Sequence, residues 1–113
     1  MADDCLFCRI VTGDIPATKV LDTADCIAFR DINPQAPVHV VVIPKRHVAT
    51  LNDADDASML GSLVMCAATV AREEGLAENG WRLVVNTNKD AGQTVFHIHV
   101  HVLGGRQLHW PPG

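Results

Sequence analysis

The chain has 113 residues, of which 48% are hydrophobic and 19% are charged, and its formal net charge is −4. This length and composition are typical of a soluble globular protein, and we expect one domain over residues 1–113. The negative charge comes without an extended basic run, so binding to nucleic acid is not expected. Membrane association is not expected either, since no segment approaches the roughly 20 apolar residues of a membrane span.

The N-terminus, residues 1–4, is acidic and lacks the positive region and apolar stretch of a signal peptide, so we expect a cytoplasmic protein. The chain contains four cysteines, Cys5, Cys8, Cys26 and Cys66. In a chain without an export signal, reduced thiols or metal ligands are expected rather than two disulfides.

The first predicted element is a short helix that begins at Cys5, ends near Gly13 and is capped by Asp3 or Asp4. It contains the spacing Cys5-x-x-Cys8, for which four interpretations exist. Two partly buried free thiols are the simplest. A redox pair would follow a strand, and a zinc ribbon would need a second CxxC; the sequence shows neither context. Half of a Cys₂His₂ metal site stays open, because CxxC is a common spacing of zinc ligands.

Three strands are predicted next. Residues 19–21 and 26–29 are apolar runs separated by a polar turn, which predicts a β-hairpin. After a loop with two prolines, residues 38–43 are rich in β-branched side chains and predict a central strand. His39 interrupts this strand, and a lone histidine there is more often a hydrogen-bonded core residue than a catalytic one. His47, in the following loop, would by itself be assigned to the surface.

Residues 52–74 predict the long helix, with Asn52 or Asp53 as its cap and Gly75 at its end. Six apolar side chains repeat at helical spacing and form a stripe that we expect to pack on the core. They are Met59, Leu60, Leu63, Val64, Ala67 and Val70. Residues 81–86 then predict another strand, which ends in a polar loop.

The most informative stretch is 96–102, in which His97, His99 and His101 alternate with apolar residues. Strict alternation predicts a β-strand with the three histidines on one face. The residues expected on the opposite, core-facing side are Phe96, Ile98, Val100 and Val102. His97 and His101 would stand about 13 Å apart at the backbone. Because Zn–N bonds are only about 2.0–2.1 Å long, three such rings can hardly bind one ion, and we expect separate roles.

The turn before this strand and the tail after it complete the chain. Gly92, Gln93 and Thr94 can bind a phosphate through backbone N–H groups and a hydroxyl, although the same residues are equally a plain turn. An exposed tryptophan in the tail, Trp110, suggests docking against a second subunit. The predicted class is α+β, with about five strands in a mainly antiparallel sheet, one long helix and one short helix.

Several motifs occur together in this chain. His97-Ile98-His99-Val100-His101-Val102 is preceded by the motifs at 31–39, 43–47 and 92–94 and is followed by the tail at 103–113. In this order they resemble the histidine triad (HIT) superfamily, and in particular its Hint branch. The resemblance covers nearly the whole chain from Cys5 onward. It implies a single HIT domain whose sheet extends across a homodimer, with the tail around Trp110 near the partner subunit.

Hint proteins hydrolyse nucleoside phosphoramidates, and the resemblance implies an adenosine 5′-monophosphoramidase type of activity on purine nucleoside 5′-phosphoramidates. His99 would attack the α-phosphorus and form a nucleotidyl-histidine intermediate, and no cofactor would be needed for the chemistry. His101 would donate to the phosphate oxygens, His39 would orient His101, and the Thr94 hydroxyl would help to protonate the departing amine. The implied nucleotide-binding residues are Leu6, Phe7, Phe29, Asp31, Ile32, Asn86, Gly92, Gln93, Thr94, His99 and His101.

The chain departs from the Hint pattern at two places. Many Hint proteins carry Ser at the position of Thr94, so the hydroxyl is kept and the added methyl could change the rate or the leaving-group preference. Eukaryotic Hint proteins lack the CxxC, whereas many bacterial HIT proteins carry it with zinc. By this resemblance Cys5, Cys8, His47 and His97 would bind a structural Zn²⁺, since four protein ligands close the shell.

Three alternatives stay open. A dinucleoside polyphosphate hydrolase is the nearest one, although the tail at 110–113 favours the Hint branch. Nucleotidyl transferases of the superfamily carry Gln at the position of His101, which favours hydrolysis here. A nucleotide-binding scaffold or interaction protein with little activity is the third.

Overall fold

The computed structural model describes residues 4–113, in which five strands form one antiparallel sheet of order β1-β2-β3-β5-β4. The elements are α1 (Leu6–Thr12), β1 (Lys19–Asp22), β2 (Cys26–Arg30), β3 (Val38–Pro44), α2 (Ala57–Glu73), β4 (Trp81–Val84), α3 (Asn88–Ala91) and β5 (Val100–Gly104). The predicted α+β class and the five-stranded antiparallel sheet are confirmed. Within these residues no helix combines the length and apolar character that crossing a membrane requires.

Strand β3 lies at the centre of the sheet, and it is buried from His39 to Pro44. Val40 and Val42 belong to the core that α2 covers, whereas Val41 and Ile43 belong to the core that α1 covers. Because both faces of the strand are covered, its sequence is a continuous apolar run rather than an alternating one. His39 stands on the α1 side, since side chains alternate along a strand.

Helix α2 begins later than residues 52–74 predicted. Its first turn is capped by Asp56, whose carboxylate accepts hydrogen bonds from the N–H groups of Ser58 and Met59 at 3.0 and 3.2 Å. The predicted caps lie in a separate 3₁₀ turn, Leu51–Asp53, because the extended backbone of Ala54 ends that turn.

The apolar stripe of α2 is narrower than predicted. Leu63, Ala67, Val70 and Ala71 are its buried members, whereas Val64 is 48% exposed. The spacing of the buried set follows a helix period of 3.6 residues, and Val64 lies one residue, or about 100° around the helix, beyond Leu63.

Helix α1 ends as predicted, at Gly13 with a left-handed φ of 86°. Its N-cap is Cys5, whose Sγ accepts a hydrogen bond from the N–H of Cys8 at 3.3 Å. The predicted cap at Asp4 is therefore wrong, and the other predicted cap, Asp3, lies outside the described residues.

The predicted strand over 96–102 is only partly correct, since β5 begins at Val100. Before Val100 the register would bring Ile98 opposite Pro44, which has no N–H to donate and whose carbonyl accepts from the His97 ring at 2.8 Å. The segment before β5 instead follows the loop after β3, where the Ile98 N–H donates to Val48. Phe96 consequently faces solvent, with 49% of it exposed, and not the core.

The polar loop predicted after the fourth strand contains a short helix, α3, which ends at Gly92 with φ 81°. Strand β4 itself ends at Val84, earlier than the predicted residue 86. The N–H groups of Gly92 and Gln93 donate to the carbonyls of Lys89 and Asn88, and these bonds close the turn.

Candidate active site and metal cluster

His99 lies on the α1 face of the sheet and is buried. Its Nδ1 is 2.8 Å from the carbonyl oxygen of His97. A carbonyl can only accept, so Nδ1 carries the proton and Nε2 of the neutral ring holds a lone pair. The ring of Phe7 stands edge-on to His99 with centroids 5.0 Å apart, which restricts the orientation of the imidazole.

His39 and His101 come from the neighbouring strands β3 and β5 and are joined by a hydrogen bond of 2.8 Å between His39 Nε2 and His101 Nδ1. The backbone N–H of Gln35 donates to His39 Nδ1 at 3.0 Å, so the proton of the neutral His39 ring is on Nε2. Nε2 therefore donates to His101, whose own proton must be on its Nε2. His101 thus presents a donor next to the lone pair of His99, with ring centroids 5.1 Å apart.

These imidazoles are neutral near pH 7. Burial, followed by the neighbouring His99 and His39, lowers the pKa of His101 to about 4. Burial also lowers the pKa values of His39 and His99, although the Asp31 carboxylate acts in the opposite sense on both. A neutral imidazole is the form that can act as a nucleophile or as a hydrogen-bond acceptor.

A cavity of about 710 Å³ has Phe7 in its lining, and the Phe7 ring contacts His99, which does not itself line the cavity. Its volume is in the range of small-molecule sites. Six of the residues predicted to bind a nucleotide line it or, in the case of Thr94, stand at its edge: Leu6, Phe7, Phe29, Asp31, Ile32 and Thr94. The structure thus brings together the apolar part of the predicted binding set with one carboxylate and one hydroxyl.

Asp31 is positioned by the loop after β2. One carboxylate oxygen accepts from the N–H of Asn33 at 2.8 Å, and the other lies 3.4 Å from His39 Nε2. Asp31, His39 and His101 form a cluster of metal-ligand type, but they are already bonded to one another and need no ion to hold them together.

Gln93 differs from its predicted part in phosphate binding. Its Oε1 accepts from the N–H of Asn88 at 2.9 Å, and its Nε2 donates to the carbonyls of Ala49 and Val95 at 2.9 and 3.1 Å. The amide is therefore buried, and the backbone uses both of its N–H donors and one of the two lone pairs of its oxygen. The neighbouring Thr94 is exposed. The bonds from Gln93 to the backbone fix the position of the chain at Thr94.

Two further predicted phosphate-binding residues lie outside the cavity lining. Gly92 has its N–H bonded within α3, and its positive φ explains why glycine stands there. Asn86 is half-buried just beyond β4. Val84 pairs with His101 in the antiparallel register. Two residues further along, the same register would bring Asn86 opposite His99.

A second cluster lies below the α1 N-terminus, where the four predicted metal ligands come together. The ligand atoms of Cys5, Cys8, His47 and His97 all lie within 4.8 Å of one another. Cys8 Sγ is 3.2 Å from His47 Nδ1, and the Nδ1 atoms of His47 and His97 are also 3.2 Å apart. A tetrahedron with Zn–S of about 2.3 Å and Zn–N of about 2.0–2.1 Å has edges of about 3.3–3.8 Å, so the cluster could hold a metal ion.

The chemistry of the donors agrees with this geometry. His97 Nε2 donates to the Pro44 carbonyl at 2.8 Å, so its Nδ1 lone pair is aimed at the cysteines. Without a cation, burial and then the hydrogen bond with Cys5 raise the pKa of the Cys8 thiol to about 11. A bound cation would reverse that preference and favour the thiolate.

Comparison with known proteins identifies the family. A sequence profile of the HIT domain matches residues 12–108. The chain belongs to the HIT family. An uncharacterised HIT-like protein of Synechococcus elongatus is 48% identical over 115 aligned positions, which cover 100% of both chains.

Solved HIT structures resemble this chain along nearly its whole length. A HIT family hydrolase from Legionella pneumophila is 53% identical with a TM-score of 0.95, and the match covers 97% of this chain and all of that one. A zinc-bound histidine triad family protein from Mycobacterium smegmatis is 36% identical with a TM-score of 0.84, covering 94% of this chain and 78% of that one.

Several groups that organise this HIT site are backbone atoms, which the residue types in the sequence do not identify one by one. The carbonyls of Pro44 and His97 set the tautomers of His97 and His99, and the N–H of Gln35 sets that of His39. A backbone group has no residue type to recognise. The loop with two prolines before β3 was the one sequence feature that could have indicated the contact between Gln35 and His39.

Proposed function

We propose that this HIT protein is a hydrolase that cleaves the P–N bond of purine nucleoside 5′-phosphoramidates through a nucleotidyl intermediate on His99. The proposal rests on one observation: two neighbouring histidines of the site are in opposite tautomers. His99 offers an Nε2 lone pair, and His101 beside it offers an Nε2 proton. A lone pair next to a fixed donor suits attack on phosphorus with stabilisation of the phosphoryl oxygens. The name of the Legionella pneumophila relative supports the hydrolase assignment.

In the first step His99 Nε2 attacks the α-phosphorus and forms a P–N bond to the enzyme. The P–N bond of the substrate breaks, and its electron pair leaves with the amine, which takes up a proton through the Thr94 hydroxyl. His101 donates its Nε2 proton as a hydrogen bond to a phosphoryl oxygen and keeps it throughout. The His97 carbonyl stabilises the positive charge that develops on His99, because it accepts the Nδ1 proton.

In the second step water attacks the same phosphorus and the bond to His99 breaks, which regenerates the neutral ring and releases the nucleoside monophosphate. The electron pair returns to His99 Nε2, and the water proton is carried away by solvent or by the phosphate. No metal ion takes part in either step.

The cavity beside Phe7 is the proposed nucleoside site. Phe7, Phe29 and Ile32 provide apolar surface for the base, and the Asp31 carboxylate stands where it can accept from the ribose hydroxyls. Ile32 is wholly exposed without a ligand, so covering a base would bury apolar surface that now faces water. Asn86 is proposed to bind the phosphate from the β4 side.

We propose that the ion in the cysteine–histidine cluster is Zn²⁺. Two thiolates and two imidazoles form a donor set that zinc prefers, and a four-ligand shell leaves no position for substrate, which makes the ion structural. The zinc-bound relative from Mycobacterium smegmatis supports this identity.

We also propose a homodimer in which the sheet continues from one protomer to the other. Strand β4 is an edge of the sheet, and all four of its residues, the charged Arg82 included, are half-buried rather than fully exposed. A free edge of this kind pairs readily with another strand. Trp110 is 81% exposed, and its proposed position is near the partner subunit.

The decisive experiment mixes the full-length protein with an adenosine 5′-phosphoramidate and follows AMP release by chromatography. We expect His99→Ala to reduce kcat by at least about 1,000-fold, because the nucleophile is removed. Arg72→Met is the matched control, since Arg72 is exposed on α2 and its guanidinium donates to Thr69 of the same helix.

A quenched reaction should also yield a peptide with an added AMP mass at His99. Full activity of His99→Ala would contradict the assignment. If diadenosine polyphosphates were hydrolysed and phosphoramidates were not, the polyphosphate hydrolase would replace the proposal. Binding of AMP without turnover of either substrate would indicate the scaffold.

A further inference from the structure

We propose that Arg106 is a positioning residue for this reaction, which holds His101 in its working tautomer by acting through Gln35 and His39. The proposal rests on the proposed function for its catalytic consequence. The tautomers themselves can be measured without any substrate. None of the motifs that identified the site assigns Arg106 a part in it.

The Arg106 side chain binds the loop before β3 by donating two hydrogen bonds to a single carbonyl oxygen. Its Nε and Nη2 donate to the carbonyl oxygen of Gln35 at 3.1 and 3.0 Å, while Nη1 donates to the carbonyl of Gln107 at 2.9 Å. Two bonds from a planar guanidinium to one oxygen restrict both its distance and its direction. Arg106 therefore fixes where Gln35 lies relative to the end of β5.

Gly105 makes this approach possible. Its φ is +90°, a conformation that side chains disfavour, and a Cβ at this position would lie 3.0 Å from Cβ of Pro37. The chain beyond β5 can thus pack closely against the far end of the same loop. This contact brings the next residue, Arg106, within hydrogen-bond distance of the Gln35 carbonyl.

The other contacts near Gln35 are the buried side chain of Ala36, the bond from the Asp31 N–H to the His39 carbonyl at 3.0 Å, and bonds within the loop itself. Residues 32–35 are all exposed, so burial contributes little to their position. The Gln35 side chain donates to the Asn33 carbonyl at 3.0 Å, and the Asn33 N–H donates to Asp31. Both bonds lie within the loop and move with it. The two bonds from Arg106 connect Gln35 to the segment that directly follows β5, the strand carrying His101.

Gln35 in turn determines which nitrogen of His39 carries the proton. Its N–H donates to His39 Nδ1 at 3.0 Å, which keeps Nδ1 unprotonated and Nε2 protonated. If Gln35 moves away, the proton of His39 can shift to Nδ1. Two lone pairs would then face each other across the 2.8 Å between His39 Nε2 and His101 Nδ1. His101 would relieve this repulsion by moving its own proton to Nδ1, and its Nε2 would present a lone pair to the phosphate.

Asp31 limits the size of the effect. Its carboxylate lies 3.4 Å from His39 Nε2 and also favours a proton there. Loss of Arg106 should therefore produce a mixture of tautomers and not a complete switch. We expect a fall in kcat of about 10-fold, the lower end of what is lost when a group that orients a working imidazole is removed.

The test compares Arg106→Met, which has no donor, and Arg106→Lys, which keeps one, with the control Arg72→Met. Long-range ¹H–¹⁵N NMR distinguishes protonated from unprotonated ring nitrogens, and it is recorded on the free proteins. We expect wild type and Arg72→Met to show unprotonated Nδ1 on His39 and His101. Arg106→Met should show averaging between the two nitrogens of both rings, and Arg106→Lys a smaller change.

Kinetics with the adenosine phosphoramidate supply the second readout. Arg106→Met should lower kcat about 10-fold and change KM less than about 2-fold, since the donor to the transition state is lost and the nucleoside cavity is not. Gly105→Ala, which pushes the tail away from Pro37, should reproduce the NMR change and keeps the proposal testable if Arg106→Met does not fold.

Wild-type tautomers in Arg106→Met and Gly105→Ala would overturn the proposal, whatever happens to the rate. A tautomer change without a fall in kcat would overturn its catalytic part. If the wild-type protein hydrolysed no phosphoramidate, the proposed function would fail, and the NMR comparison would still decide whether Arg106 controls the two rings.

Discussion

At the scale of single residues, the histidines differ through the atoms that their ring nitrogens contact. His97 and His99 donate to carbonyls, whereas His101 accepts from another ring. Their regular spacing in the sequence makes them look equivalent. A neutral imidazole has one donor and one acceptor, so one fixed bond decides what the other nitrogen can do.

The low pKa of His101 predicts how stability depends on pH. Its pKa is about 4 in the folded protein, because of burial and then of the neighbouring His99 and His39, against an ordinary value of 6.5. Between these values the unfolded chain binds more protons than the folded one. The free energy of unfolding should therefore be highest above pH 6.5 and should fall as the pH is lowered towards 4.

Urea denaturation of wild type and His101→Gln between about pH 7 and pH 4.5 measures this effect. Glutamine can accept from His39 but does not titrate, so the variant should lose less stability on acidification. The metal cluster is common to both proteins and does not account for a difference between their slopes. Parallel pH curves would contradict the prediction.

At the scale of elements, the residues of the site lie on short segments and not on the long helix. Helix α1 has only seven residues, and an isolated helix of that length is not stable in water. Phe7 and Ile10 are buried against the sheet, and Cys5 and Cys8 tie the helix to His47 and His97. The helix therefore depends on tertiary contacts at both its apolar face and its N-terminus.

Metal removal should accordingly loosen α1. We expect one zinc per chain in protein purified without chelator, and a lower melting temperature after chelation, since an ion that binds only the folded state stabilises it. Cys8→Ser should lose the ion and the response to added zinc. Cys66→Ser is the control, because Cys66 is a half-buried thiol of α2 outside the cluster. Absence of stoichiometric zinc from the wild-type protein would disprove the assignment.

At the scale of the whole molecule, the surface contains apolar groups that the described fold leaves exposed. Val64 and Met65 are 48% and 64% exposed on α2, and β4 presents an unpaired edge. Contiguous apolar surface and a free edge are features of association surfaces. They give the proposed homodimer a physical basis.

Light scattering after gel filtration should give a mass of about twice the 12.2 kDa of one chain. Met65→Glu places a charge on the exposed apolar surface and should shift the equilibrium towards the monomer. Lys19→Gln is the control, because Lys19 is exposed on β1 at the opposite edge of the sheet, and it should leave the mass unchanged. A wild-type protein that stays monomeric at high micromolar concentration would refute the homodimer.

The pattern of the sequence predicted several elements well, and its failures have physical causes. The hairpin β1-β2, the central strand β3 and the end of α1 at Gly13 follow from alternation and from turn residues, which act over a few positions. The start of α2, the start of β5 and the helix α3 were missed. The start of β5 depends on a long-range bond, that between His97 and Pro44, whereas the start of α2 is set by the local cap Asp56, one of several acidic residues that could have capped it.

The sequence by itself determined which residue types are available: a row of histidines among apolar residues, a CxxC and a set of motifs that resemble one family. Only the tertiary structure decided what each histidine contacts. Cys5 and His97 are 92 residues apart in the chain, and His39 and His101 are 62 apart. Of the backbone groups that set the tautomers, the Pro44 carbonyl lies 53 residues from His97, whereas the His97 carbonyl and the Gln35 N–H lie two and four residues from their rings. The long-range contacts arise from the packing of the sheet, the helix and the loops, and no local spacing encodes them.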